Sequence, residues 1–135
     1  MPIMQYLELV PLDDTSFASD DPGRYACRLS PRGNLGMDSV HETEVLISSL
    51  IRGGLTRLIF NMENLSYIDS VGIGMIIKMR KMLAATGGDF ALYNVPPKVN
   101  DVFELVNLKD YIRTFYSEAQ AIEYLRRSEI SRNRA

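Results

Sequence analysis

The sequence predicts a single α/β domain: a mixed β-sheet with an antiparallel leading edge, otherwise largely parallel, flanked by about four helices. Three observations predict it. Two strand-like stretches open the chain before any helical pattern begins. From there, helix-period and strand-like segments alternate to a closing helix. The boundaries between them carry Gly, Pro or a capping residue. Alternation of this kind implies crossovers onto parallel strands covered by helices, whereas the two leading strands are expected to pair as a hairpin.

Residues 3–12 (IMQYLELVPL) combine alternation with β-branched and aromatic residues and read as the first strand. Residues 13–23, rich in Asp, Ser and Thr and containing Pro22-Gly23, read as a loop. Residues 24–29 (RYACRL) alternate and form the second strand, after which Pro31, Gly33 and Gly36 break the chain. Over 38–52 the period changes. Val40, Val45, Leu46, Ser49 and Leu50 recur near helical spacing, Asp38 or Ser39 can cap the start, and Gly53-Gly54 ends it. The apolar run at 57–60 (RLIF) fits a buried central strand. Residues 63–67 read as a loop, and a helix spans about 70–85, closed by Gly87-Gly88. The next strand is 90–95 (FALYNV), stopped by Pro96-Pro97. Val99, Val102, Phe103 and Val106 mark the inward face of a helix over 98–108. A short strand at 112–116 (IRTFY) precedes a final helix capped by Ser117, with Ala121, Ile122 and Leu125 on one side. The domain is expected over 1–130, with 131–135 as a basic C-terminal tail.

At 135 residues the chain suits one domain with a real core. Its 46% hydrophobic and 24% charged content is ordinary for a globular protein, and a net charge of −2 gives no reason to expect nucleic acid as a direct partner. Cys27 is the only cysteine, which excludes an intrachain disulfide and a cysteine metal cluster, and it reads as a buried structural thiol. No apolar run approaches the ~20 residues that cross a bilayer, and no basic-then-apolar leader opens the chain. Cytoplasmic localisation without membrane insertion is the expectation; the oligomeric state is open.

No catalytic constellation is visible. His41 is the sole histidine, with Glu42 and Glu44 beside it but no nucleophile placed for it. Asp13-Asp14 and Asp20-Asp21 sit in a turn-rich stretch rather than at metal-ligand spacing. Neither Gly53-Gly54 nor Gly87-Gly88 continues into the Gly-Lys-Ser/Thr of a phosphate-binding loop, and Gly72-x-Gly74 is too short for a dinucleotide fingerprint. No enzyme activity, cofactor or metal is therefore expected.

The most informative segment is Ile68-Asp69-Ser70-Val71-Gly72-Ile73-Gly74, which places an Asp and a Ser at the mouth of a helix whose first N–H groups lack partners. Either residue can simply cap the helix. Alternatively the serine is a regulated site: a phosphate there adds about −1.5 to −2 charge at pH 7 facing the positive end of the helix dipole, so the domain stays folded and a partner feels the change. Gly72 and Gly74 each cost up to ~1 kcal/mol of helix propensity, a cost tolerated where another backbone or a partner comes close.

The run from Leu58 to Gly74 (LIFNMENLSYIDSVGIG) resembles the signature of STAS domains, the anti-sigma-factor antagonist family, and the order of elements is similar over nearly the whole chain. That resemblance implies a binding protein that engages an anti-sigma factor which is also a serine protein kinase. Ser70 matches the phosphoacceptor, with catalytic residues none. The unphosphorylated form binds and frees a sigma factor, phosphorylation ends binding, and a phosphatase restores it. The expected partner surface comprises Asp69, Ser70, Val71, Gly72 and Gly74, joined by Asn64 and Ser66. One departure is Gly36, which follows Gly33-Asn34-Leu35 where similar sequences carry an acidic residue associated with the partner surface. The alternative expectation is a STAS subunit or scaffold of a transporter or signalling complex, without phosphorylation.

Overall fold

The computed structural model describes residues 7–11 and 25–133. The readings for residues 3–6 and 12, the 13–23 loop, Arg24 and the last two residues lie outside them. Strands β1 (Leu7–Pro11), β2 (Tyr25–Pro31), β4 (Leu55–Asn61), β6 (Asp89–Tyr93) and β7 (Arg113–Phe115) form a five-stranded sheet in the order β1-β2-β4-β6-β7. Only β1 is antiparallel, pairing Leu9 with Leu29 of β2; the other three pairings are parallel. The antiparallel leading edge and parallel remainder follow the sequence expectation.

A central strand in a sheet covered on both faces is buried along its length and mainly apolar, and β4 and β6 behave so apart from Thr56, Arg57 and Asp89. Every residue of β4 except Asn61 is buried, as is all of β6. The two-residue period assigns faces. Leu58, Phe60, Phe90 and Leu92 join the larger core, where the Phe60 and Phe90 rings meet edge-on at 4.8 Å. Ile59, Ala91 and Tyr93 point into a smaller cluster on the opposite face.

The larger core lies under α1 (Val40–Arg52), α2 (Ser70–Ala85) and α3 (Pro97–Leu105), through Ile47, Ile76, Met79, Leu83, Val99 and Phe103. Helix α4 (Glu118–Asn133) covers the other face alone with Ala121 and Leu125. It starts as expected at Ser117, whose hydroxyl accepts the Gln120 N–H (3.2 Å) while the Gln120 side chain accepts the Tyr116 N–H (3.0 Å). Two polar contacts hold its inner face. Glu118 takes hydrogen bonds from Arg28 (2.9 Å) and the Tyr93 hydroxyl (3.1 Å), and the Tyr124 hydroxyl donates to Asp89 (3.0 Å).

Several expectations require correction. Residues 63–67 are not all loop: Leu65–Ile68 is a strand, β5, paired in parallel with β3 (Gly33–Leu35) as a separate two-stranded sheet. The stretch at Gly33 is therefore more than a break. In α1 the buried positions are Val40, Thr43 and Ile47, and Val45 and Ser49 face solvent. Thr43 is tolerated inside because its hydroxyl donates to the Ser39 carbonyl at 2.9 Å. Helix α3 ends at Leu105, followed by a 3₁₀ turn at Leu108–Asp110, so Val106 is exposed while Val99 and Phe103 are buried. Ser39 occupies the N-cap of α1, yet its hydroxyl makes no cap bond; it accepts the Gly36 N–H and donates to the Asn34 carbonyl, tightening the β3–α1 turn.

Candidate functional site

The small β3–β5 sheet exists to aim one helix end. Leu35 and Ile68 pair in register and are buried, while their neighbours Asn34 and Tyr67 pair on the exposed side. Immediately beyond β5, Asp69 adopts extended backbone as the N-cap of α2. Its N–H donates to the Leu35 carbonyl (3.3 Å), which fastens the helix entrance to the end of β3.

The Asp69 carboxylate divides its two oxygens. Oδ1 accepts the Gly72 N–H at 2.9 Å, satisfying one of the helix's orphan donors, and Oδ2 accepts the Met37 N–H at 3.2 Å from the β3–α1 turn. The Gly72 N–H bond foremost, with those from Met37 and Val71, holds the Asp69 carboxyl below its ordinary value of 3.8 against the opposing pull of partial burial. Asp69 is therefore ionised at neutral pH, at the positive end of the helix dipole.

Ser70 is the first helical residue and is exposed, and its hydroxyl has no hydrogen-bond partner among the described residues. The sequence left open which of Asp69 and Ser70 caps the helix. Asp69 does so alone, and the Ser70 hydroxyl stands free at the helix mouth.

The two glycines of the segment differ. Gly72 is buried, and a Cβ there would lie 2.2 Å from the Leu35 carbonyl oxygen and 2.9 Å from Ile68 Cγ1. Of the two readings of this glycine, close approach of another backbone or of a partner, its surroundings show the first: the missing side chain admits the Leu35 carbonyl. Gly74 is exposed with open space above it. Asn64 and Ser66 are exposed as expected, and Val71 is 39% exposed.

Two neighbours escaped sequence reasoning: Met37, 76% exposed, and Tyr67, 56% exposed. With Val71 they are exposed apolar residues on the segments that flank the helix mouth. Gly36 is the signal that pointed there. A Cβ at Gly36 would fall 2.3 Å from Asp69 Oδ2, so a side chain at this position is incompatible with the carboxylate as placed.

His41 is exposed on α1 and borders an open cavity of about 520 Å³ with Val45, Arg52 and Met82, away from Ser70. Among the described residues no group of three or more His, Cys, Asp or Glu could hold a metal ion, and no helix is long and apolar enough to cross a membrane. Cys27 is buried on β2, and burial pushes its thiol up to about 11.

Comparison with known proteins gives concordant results. The STAS domain family model matches residues 23–121. An anti-sigma F factor antagonist from Lysinibacillus sphaericus is 33% identical over 95 residues, covering 70% of this chain and 80% of that protein. The anti-sigma factor antagonist SpoIIAA in its unphosphorylated form is structurally similar, with a TM-score of 0.68 and 26% identity over 88% of this chain and 96% of that one. The Bacillus cell fate determinant SpoIIAA in the phosphorylated form gives 0.60 and 28% over 82% and 99% respectively.

Proposed function

The chain belongs to the STAS domain family, and from that membership we propose that it is an anti-sigma-factor antagonist whose binding is switched by phosphorylation of Ser70. It acts as a regulatory binding protein rather than an enzyme, as its relatives' names describe them. The partner is an anti-sigma factor that is also a serine protein kinase. It docks on the unphosphorylated helix mouth and releases a sigma factor, and a phosphatase reverses the modification. All of these steps belong in the cytoplasm.

One observation carries this reading: the Ser70 hydroxyl is exposed and free of any capping duty, because Asp69 performs the cap. The hydroxyl is therefore open to a modifying enzyme, and a phosphate on it would face the positive end of the helix dipole while Asp69 keeps the cap. The existence of a related protein in phosphorylated form supports the same reading. Met37, Tyr67, Val71, Gly74, Asn64 and Ser66 then form the ground on which the partner rests, and a phosphate added among them brings charge and bulk to a mainly apolar contact.

The test is a pull-down from the source organism followed by phosphosite mapping. Purified protein incubated with ATP and the captured kinase should gain one phosphate, absent in Ser70→Ala. Stoichiometric modification elsewhere with Ser70 untouched would overturn the assignment.

A further inference from the structure

The Asp69 carboxylate joins two segments that lie 32 residues apart: Oδ1 holds the first turn of α2 through Gly72, and Oδ2 holds the β3–α1 turn through Met37. The second bond is the longer and more exposed of the two. It exists only because residue 36 lacks a side chain, since a Cβ there would fall 2.3 Å from Oδ2 and 2.6 Å from Cγ. Gly36 is itself buried and fixed, with its N–H on the Ser39 hydroxyl and its carbonyl accepting the Ser39 and Val40 N–H groups. Met37 therefore stands out from a rigid turn with one tether toward the helix mouth, and that tether is the neighbour of Ser70.

We propose that Asp69 is a latch through which the phosphorylation state of Ser70 sets the position of Met37. The inference rests on Ser70 being the modified residue. A phosphate on Ser70 places a second, larger anion beside the Asp69 carboxylate, and repulsion between the two pushes away the less firmly held oxygen, Oδ2. The carboxylate keeps its shorter bond to Gly72 and gives up the longer one to Met37. Met37, 76% exposed, then loses the hydrogen bond that ties its backbone to the helix mouth, so a partner meets an altered surface as well as an added charge.

Two variants open the latch without phosphate. In Gly36→Ala the added Cβ would meet Oδ2 at 2.3 Å, Cγ at 2.6 Å and Oδ1 at 2.8 Å, so the whole carboxylate must turn away and its bond to Met37 is lost. In Asp69→Asn the amide oxygen still caps Gly72, but the Nδ2 group turned to Met37 is a donor and cannot accept its N–H. The experiment is water-exchange NMR on four forms: wild type, protein synthesised with phosphoserine at 70, Gly36→Ala and Asp69→Asn. The Met37 amide should exchange about tenfold faster in the last three than in wild type, the loss expected for a bond to a charged acceptor, while the Gly72 amide stays protected in the phosphoserine and Asp69→Asn proteins. Phosphoserine added to Gly36→Ala should change Met37 no further. A Met37 amide unmoved in the phosphoserine protein, or unmoved in both folded variants, overturns the latch. Because the phosphoserine is built in during synthesis, the result does not depend on any kinase. Failure to find Ser70 modified by a kinase would refute the functional reading separately.

Discussion

Gly72 and Gly74 sit two residues apart in the same helical turn, yet replacing each by alanine should move stability in opposite directions. The propensity gain is common to both, up to ~1 kcal/mol for Gly→Ala in a helix. At Gly74 nothing lies within 4 Å of the added Cβ, so the gain is kept and the variant should be more stable by about 0.5–1 kcal/mol. At Gly72 the Cβ meets the Leu35 carbonyl oxygen at 2.2 Å, about 1 Å inside ordinary contact. That oxygen belongs to backbone that also accepts the Asp69 N–H, and β3 is held by β5. The strand cannot retreat without breaking the pairing that aims the helix. Overpacking of this kind costs about 1–3 kcal/mol or more against backbone, leaving Gly72→Ala less stable by about 1–2 kcal/mol after the propensity gain.

Urea unfolding with a shared slope checks the pair, since a change in midpoint at constant slope is a change in stability. The midpoints should fall on either side of wild type and differ by about 2 kcal/mol in sum. A Gly72→Ala protein as stable as wild type would refute the argument that this glycine exists for internal close approach. A destabilised Gly74→Ala would refute the open environment assigned to that position.

Three further predictions follow from the same geometry. Asp69 has its carboxyl lowered in the folded state, so its contribution is present above the ordinary 3.8 and is lost as pH falls through the lower folded value; the stability gap between wild type and Asp69→Asn should shrink across that range, as read by urea melts at several pH values. The Cys27 thiol, buried and raised to about 11, should resist a thiol reagent at pH 8 in folded protein and react fully once unfolded in urea. Glu118→Ala removes an acceptor from both Arg28 and Tyr93 and should cost about 1–2 kcal/mol, with hydrogen exchange rising first in the opening turn of α4.

Elements defined by their own residues were legible in sequence. Helix α2 reads over its full length, because Asp69, a continuous apolar pattern and Gly87-Gly88 mark start, body and end. The closing helix reads from Ser117 for the same reason. The β3–β5 sheet does not: three residues and four residues carry too little periodicity, and their pairing joins positions more than thirty apart. The inward face of α1 misleads because a buried Thr43, satisfied by its own hydrogen bond to Ser39, looks polar, while the exposed Val45 looks like core. At the site, Asp69 and Ser70 were found, but their division of labour was not. Sequence shows two candidate caps, and only the direction of one carboxylate decides between them. Met37 was invisible for a related reason, since it reaches the site through a backbone N–H, which leaves no mark on residue identity.

In the switch proposed above, three tasks would be kept apart. Structure rests on Gly72 against Leu35 and on the Asp69 cap; both are shielded or backbone-directed, so modification need not disturb them. Chemistry rests on the Ser70 hydroxyl, which the fold leaves unused. Communication rests on the weaker second bond of Asp69 and on a glycine at 36 that any side chain would spoil. A serine engaged in capping would hold its hydroxyl against the backbone rather than open to a modifying enzyme, and a helix without a cap would fray at the proposed docking site. Placing the cap one residue before the acceptor avoids both, which is why the order Asp-Ser carries more meaning than either residue alone.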